Sequence, residues 1–156
     1  MSTTEASCAE CGSIWADGAT CLDCFHALLA FENENPRAFG AVHHLTVACF
    51  YLQHPTGYAT AALEMWQSLL ADALDRGTRP AEFLRRASAK FEGATKARDP
   101  KAGIPDGWPS SWPVTVRDVL TPDDRPAIDA YIQRAMDWAR ATRDTLSETA
   151  PSPRRR

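Results

Sequence analysis

Apolar residues recur along most of the chain at the three- and four-residue spacing of helices. Prolines, glycines and capping residues cut that pattern into segments. Thr20-Cys21-Leu22-Asp23 fits a capping box, and Leu22, Phe25, Leu28 and Leu29 form the apolar stripe of a first helix behind it. Asn35-Pro36 predicts a second start, because Asn caps well and proline is tolerated at the first helical position; Pro55 stops that helix at His54. Thr56-Gly57 opens a third, with Ala62, Trp66, Leu69, Leu70, Ala73 and Leu74 on one face and Gly77 at its end. A fourth spans roughly Pro80 to Glu92 and carries Phe83, Leu84, Ala87 and Phe91. Residues 94–113 form a Pro- and Gly-rich loop; one so long is either packed down or functional, and the burial tendency of Trp108 and Trp112 favours packing. Thr115 to Asp118 caps a short turn. Thr121-Pro122-Asp123-Asp124 begins a long last helix striped by Ile128, Tyr131, Ile132, Ala135, Ala139, Thr142 and Leu146.

No strand pattern occurs outside the cysteine-bearing N-terminus, and no internal repeat is present. The expected fold is all-α: a bundle of about five helices with a small zinc-knuckle or ribbon-like lobe at the N-terminus. It is expected to be a single domain over residues 1–150, with the lobe in 1–25, the bundle in 20–147 and a disordered tail in 151–156. A length of 156 residues suffices for a real core, and 44% apolar content with a net charge of −3 excludes a collagen-like or disordered chain. The N-terminus lacks the charged and apolar regions of a signal peptide. The most apolar stretch, Ala41 to Leu52, is broken by His43, His44 and Thr46, so no membrane span is expected. A cytoplasmic protein is the default. In that reducing setting, paired cysteines hold metal more readily than they form disulfides.

Four of the five cysteines lie in the first 24 residues, as Cys8-Ala-Glu-Cys11-Gly12 and Cys21-Leu-Asp-Cys24. Two C-x2-C pairs offer the four soft donors of a tetrahedral site, which predicts Zn2+ held by Cys8, Cys11, Cys21 and Cys24. Gly12 permits the positive φ of a tight knuckle. A two-residue turn at Asp17-Gly18 is expected to fold the segment back and bring the pairs together. Cys21 and Cys24 then sit in the first turn of a helix, where its dipole favours thiolate. The competing readings are a redox dithiol, rubredoxin-like iron, or no metal. Residues 1–36 contain six carboxylates and no Lys or Arg, which makes the lobe a poor reader of DNA or RNA.

The second feature is Val42-His43-His44-Leu45-Thr46-Val47-Ala48-Cys49-Phe50-Tyr51-Leu52-Gln53-His54-Pro55. His43 and His54 share a helix face but stand about 16 Å apart along its axis, too far to bind one ion. His43 and His44 point about 100° apart. A metal there needs groups from other helices, such as His26, Glu32 or Glu64. The plainer expectation is that His43 or His44 bonds to a carboxylate or carbonyl, tying the lobe to the bundle, and that His54 bonds to carbonyls left free at the helix end. His26, two residues after Cys24, is a substitute ligand; His43, His44, His54 and Glu64 are the other candidates for an alternative ligand or a group supporting the ligands, and Cys49 is a buried apolar residue.

On CAECG, CLDCFHALLAFE, VHHLTVACFYLQHP and the later WPVTVRDV, the chain resembles a bacterial family of small proteins classed as a domain of unknown function, over most of its length to about residue 145. The resemblance implies a cysteine- and histidine-bearing helical protein and brings no activity or substrate. A second, weaker likeness is to metal-dependent helical-bundle enzymes of the damage-inducible type, whose spaced histidine pair is missing here.

Three functions follow. In the first, a closed four-cysteine site stabilises a module that binds a protein partner or small ligand. The second is a metal-dependent hydrolase or transferase using His43 or His44 with a helix carboxylate, Glu32 or Glu64. The third is a thiol redox sensor that ejects its metal and links each C-x-x-C pair.

Overall fold

The computed structural model describes residues 4–16, 18–90 and 96–149. It contains two short strands, β1 (Glu5–Ser7) and β2 (Ile14–Ala16), followed by six helices. These are α1 (Cys21–Glu34), α2 (Pro36–Gln53), α3 (Thr60–Arg76), α4 (Pro80–Lys90), α5 (Val116–Val119) and α6 (Ile128–Thr149). The fold is a helical bundle carrying a small N-terminal lobe. Among the described residues no helix is long and apolar enough to cross a membrane.

Local chemistry explains the start of α1. Thr20 accepts a hydrogen bond from the Asp23 amide, and the Asp23 carboxylate accepts one from the Thr20 amide at 2.9 Å, closing the expected capping box. Asn35 alone separates α1 from α2, so the two helices double back on each other. Phe25 stacks on Phe50 with ring centroids 3.9 Å apart, and Glu32 meets His43 and Thr46 near the link. Helix α2 is the centre of the bundle and packs on α1, α3, α4 and α6. Its Leu45, Leu52 and Cys49 are buried with Leu28, Leu70, Tyr131, Ala135 and Trp138. Burial pushes the Cys49 thiol up to about 12, as suits a small apolar residue.

Several boundaries differ from the sequence expectation. Helix α3 begins at Thr60 rather than at Thr56-Gly57, because Gly57 adopts φ +86 and residues 57–59 bond to the 97–102 loop instead. Helix α6 begins at Ile128, since Pro126 disfavours helical backbone at Arg125, and Thr121 to Asp124 close only a turn. Leu22 and Leu84, assigned to apolar stripes, are 51% and 52% exposed. The expected end of α4 at Phe91 and Glu92 and the tail 151–156 lie outside the described residues. The long loop is packed by its tryptophans: Trp112 is buried, and Trp108 Nε1 donates to the Leu52 carbonyl at 2.8 Å.

His44 sits edge-on to Phe83, 6% exposed, with its Nδ1 unpartnered. Burial, reinforced by neighbouring His43, pushes it down from 6.5 to about 4. The unfolded chain therefore binds the extra proton first. His44 contributes stability that is complete above pH 6.5 and is lost as pH falls towards 4, by about 3 kcal/mol. Urea midpoints at pH 7 and pH 4.5 are expected to differ less in His44→Phe than in the parent protein; an unchanged difference refutes this.

Candidate metal centre

The lobe turns at the first cysteine pair. The Cys8 amide donates to the Ser13 carbonyl at 2.8 Å, and the Gly12 amide donates to the Cys8 carbonyl at 2.9 Å. This knuckle joins β1 to β2 with Ser7 opposite Ile14. The hairpin therefore reverses at Cys8–Ser13, not at Asp17-Gly18; Asp17 lies outside the described residues, and Gly18 takes φ +77 on the path into α1. Gly12, at φ +82, leaves room against Ser110 and Ser111, which a Cβ would approach to 3.4 Å. Around it the lobe is fastened to α5 and the loop before it. Ser13 Oγ donates to Thr115 Oγ1 at 2.7 Å, Trp112 Nε1 to the Glu10 carbonyl at 3.3 Å, and Arg117 to the Ile14 carbonyl.

This seating brings Cys8 and Cys11 against Cys21, the first residue of α1. The Cys11 and Cys21 sulfurs are 3.5 Å apart, near the edge of about 3.8 Å implied by Zn–S bonds of about 2.3 Å. Trp15 Nε1 donates to Cys21 Sγ at 3.1 Å, and Cys11 Sγ lies 3.3 Å from Ser13 Oγ. The hydrogen bond with Cys21 holds the Cys11 thiol well below its ordinary value, while the same contact and burial push Cys21 up. This sulfur contact spans lobe and helix rather than lying within a C-x-x-C unit.

The fourth candidate donor is His54. The Cys8, Cys11 and Cys21 sulfurs and the imidazole of His54 have donor atoms all within 4.8 Å of one another. Cys24, expected in that position, is outside this group. Three residues into α1 at about 1.5 Å each, it stands about 4.5 Å further along the axis. There its thiol is fully buried in the core, and desolvation followed by the Asp23 charge pushes it up to about 11.

His54 arrives for local reasons. The residue before a proline avoids the helical region, so α2 ends there with φ −129 and ψ 67. Its Nδ1 donates to the Phe50 carbonyl at 2.9 Å, the helix-end bond expected from the sequence, and its ring stacks on Phe50 at 4.2 Å. With the proton on Nδ1, Nε2 presents its lone pair; it is buried and has no hydrogen-bond partner. Three thiols and an imidazole in this arrangement are placed to hold a metal ion. Helix lengths alone do not signal His54, since α1 has 14 residues and α2 has 18; the Phe25–Phe50 pairing sets the level. An α2 that doubles back from Asn35 and pairs Phe50 with Phe25 brings His54 to the level of Cys21.

The other candidates lie elsewhere. His26 and Glu64 are exposed on α1 and α3. His44 is buried against Phe83, on the side of α4. His43 Nδ1 donates to Glu32 Oε2 at 2.8 Å, and Glu32, with no exposed surface, also accepts from Thr46 Oγ1 at 2.8 Å and from the Tyr131 hydroxyl. The carboxyl sequence reasoning offered as a metal ligand thus ties α1, α2 and α6 together.

A family model described as a family of unknown function (DUF5946) matches residues 6–147. No curated protein and no solved structure matches the chain.

Proposed function

The chain belongs to that family, DUF5946, and since the family brings no activity with it, we propose from the site's own chemistry that this is a zinc protein with a structural centre. Zn2+ is held by Cys8, Cys11, Cys21 and His54 and clamps the N-terminal hairpin onto the paired ends of α1 and α2. Thiolate and imidazole donors in a compact four-membered group suit zinc. The observation that carries the reading is the His54 ring: its tautomer is fixed by the Phe50 carbonyl, and its buried Nε2 faces three sulfurs with no other partner.

The ion supplies a tetrahedral anchor with all four positions taken by protein, so its part is to organise a surface. That surface serves a protein partner or small ligand. Nucleic acid is a poor candidate, because residues 1–36 carry six carboxylates and no cation to meet phosphate. A reducing compartment such as the cytoplasm suits thiols that must stay unoxidised.

Elemental analysis tests the reading. One zinc per chain is expected, retained by Cys24→Ala and weakened on the order of a hundredfold or more in His54→Ala. Zinc retained by His54→Ala and lost from Cys24→Ala overturns it and restores the four-cysteine set.

A further inference from the structure

Beside the metal-ligating group opens a cleft of about 460 Å³, a volume within the usual range of small-molecule sites. Cys8, Cys21 and His54 form one wall, and Trp15, Phe50 and Tyr58 supply apolar and aromatic surface. Two charged residues border it, Glu10 and Arg98. Glu10 is engaged: its Oε1 accepts the Thr56 amide at 2.9 Å, closing the lobe on the turn after α2.

Arg98 differs. It is exposed, and it takes part in no ion pair or side-chain hydrogen bond among the described residues. Yet its position is fixed. The Tyr58–Arg98 bridge is flanked by backbone bonds from Ala59 to the Ala97 carbonyl at 2.8 Å and from Asp99 to the Gly57 carbonyl at 3.0 Å. A third, from Gly57 to the Ala102 carbonyl at 2.9 Å, anchors the loop beyond. The guanidinium carbon lies 4.6 Å over the Tyr58 ring. A guanidinium held over an aromatic face by cation–π attraction still has its N–H donors to offer a carboxylate.

We infer that this cleft binds a small aromatic carboxylate, its apolar body among Trp15, Leu22 and the edges of Phe50 and Tyr58 and its carboxylate on Arg98. The orientation follows from charge. Three thiolates around a divalent ion leave the metal wall with a net negative charge, so the anionic head belongs at the Arg98 mouth and the uncharged end faces inward. This last step rests on the zinc reading; the aromatic surface and Arg98 do not.

The test is calorimetry on the full chain, with zinc content measured on each sample. The probes are 2-naphthoate and its neutral counterpart 2-naphthamide. One naphthoate per chain is expected, bound on the order of tenfold more weakly by Arg98→Gln and recovered only in part by Arg98→Lys. Naphthamide is expected to bind the parent and Arg98→Gln alike. No binding of naphthoate, or naphthoate affinity unmoved by Arg98→Gln in a protein that keeps its zinc and melting temperature, ends the cleft proposal and leaves the zinc reading standing. Arg98-dependent naphthoate binding in a protein that holds no zinc supports the cleft and ends the zinc reading.

Discussion

Cys11→Ser is expected to abolish zinc binding and melt the N-terminal hairpin while the helices remain folded. The reason is the poverty of the lobe's own packing. Strands β1 and β2 have three residues each, β1 is exposed throughout, and in β2 only Trp15 is buried. A two-stranded hairpin of that size does not hold together in water. Its anchors are the proposed metal group and the bonds to Trp112, Thr115 and Arg117, and the knuckle that makes those bonds is itself shaped around Cys8 and Cys11. Structural zinc contributes about 10–16 kcal/mol of apparent binding energy to small zinc-finger peptides that have no other core. This chain has one, built on Leu28, Leu52, Tyr131 and Trp138, so a smaller share of that energy stabilises the whole. A loss of about 3–5 kcal/mol is expected, which for a chain of this size lowers Tm by about 10 °C. The marker is Trp15: its indole leaves the Cys21 sulfur, so its fluorescence changes while far-UV helical dichroism is largely kept. A Cys11→Ser protein with one zinc and the parent's melting temperature contradicts the scheme.

The sequence was most informative where one residue decides a local conformation. The Thr20–Asp23 capping box, the Asn35-Pro36 start and the Pro55 stop are each where the pattern placed them, although the Asn35 side chain caps no α2 amide and donates instead to the Phe31 carbonyl at 2.8 Å. It was least informative where two segments compete for the same backbone. Thr56-Gly57 reads as a helix start, but its amides and carbonyls are spent on the hairpin knuckle and the Arg98 loop. The same holds for the centre. Cysteine spacing alone offers Cys24 as the fourth donor, yet that residue points into a core that only the assembled bundle defines. His54 lies 30 residues further along and reaches Cys21 only because α2 folds back on α1. The face shared by His43 and His54 was legible, and so was their separation. What was hidden is that the two ends of that face serve different neighbours, Glu32 at one and the thiols at the other.

The Glu32 end carries the second large effect. Glu32→Ala is expected to cost about 3–5 kcal/mol, and Glu32→Gln distinctly less. The carboxyl is wholly buried and gathers donors from two other helices: His43 and Thr46 on α2, and Tyr131 on α6. Burial, then the nearby Glu32 charge, push the Tyr131 phenol well above its ordinary range, so it stays a neutral donor to the carboxyl. Truncation to alanine leaves the buried Tyr131 hydroxyl without an acceptor, leaves Thr46 only the His43 carbonyl at 3.0 Å, and opens a cavity between α1 and α6. Glutamine keeps an acceptor oxygen for one of them. Tyr131→Phe removes a single donor and is expected to cost about 1–3 kcal/mol. Because both substitutions break the same bond, the double variant Glu32→Ala/Tyr131→Phe is expected to fall short of the sum of the singles by at least about 1 kcal/mol. Additive losses in urea titrations rule out a shared network. Zinc stoichiometry is expected to stay at one throughout, since Glu32 sits at the far end of α1 from Cys21, a separation that also keeps this strut chemically independent of the metal.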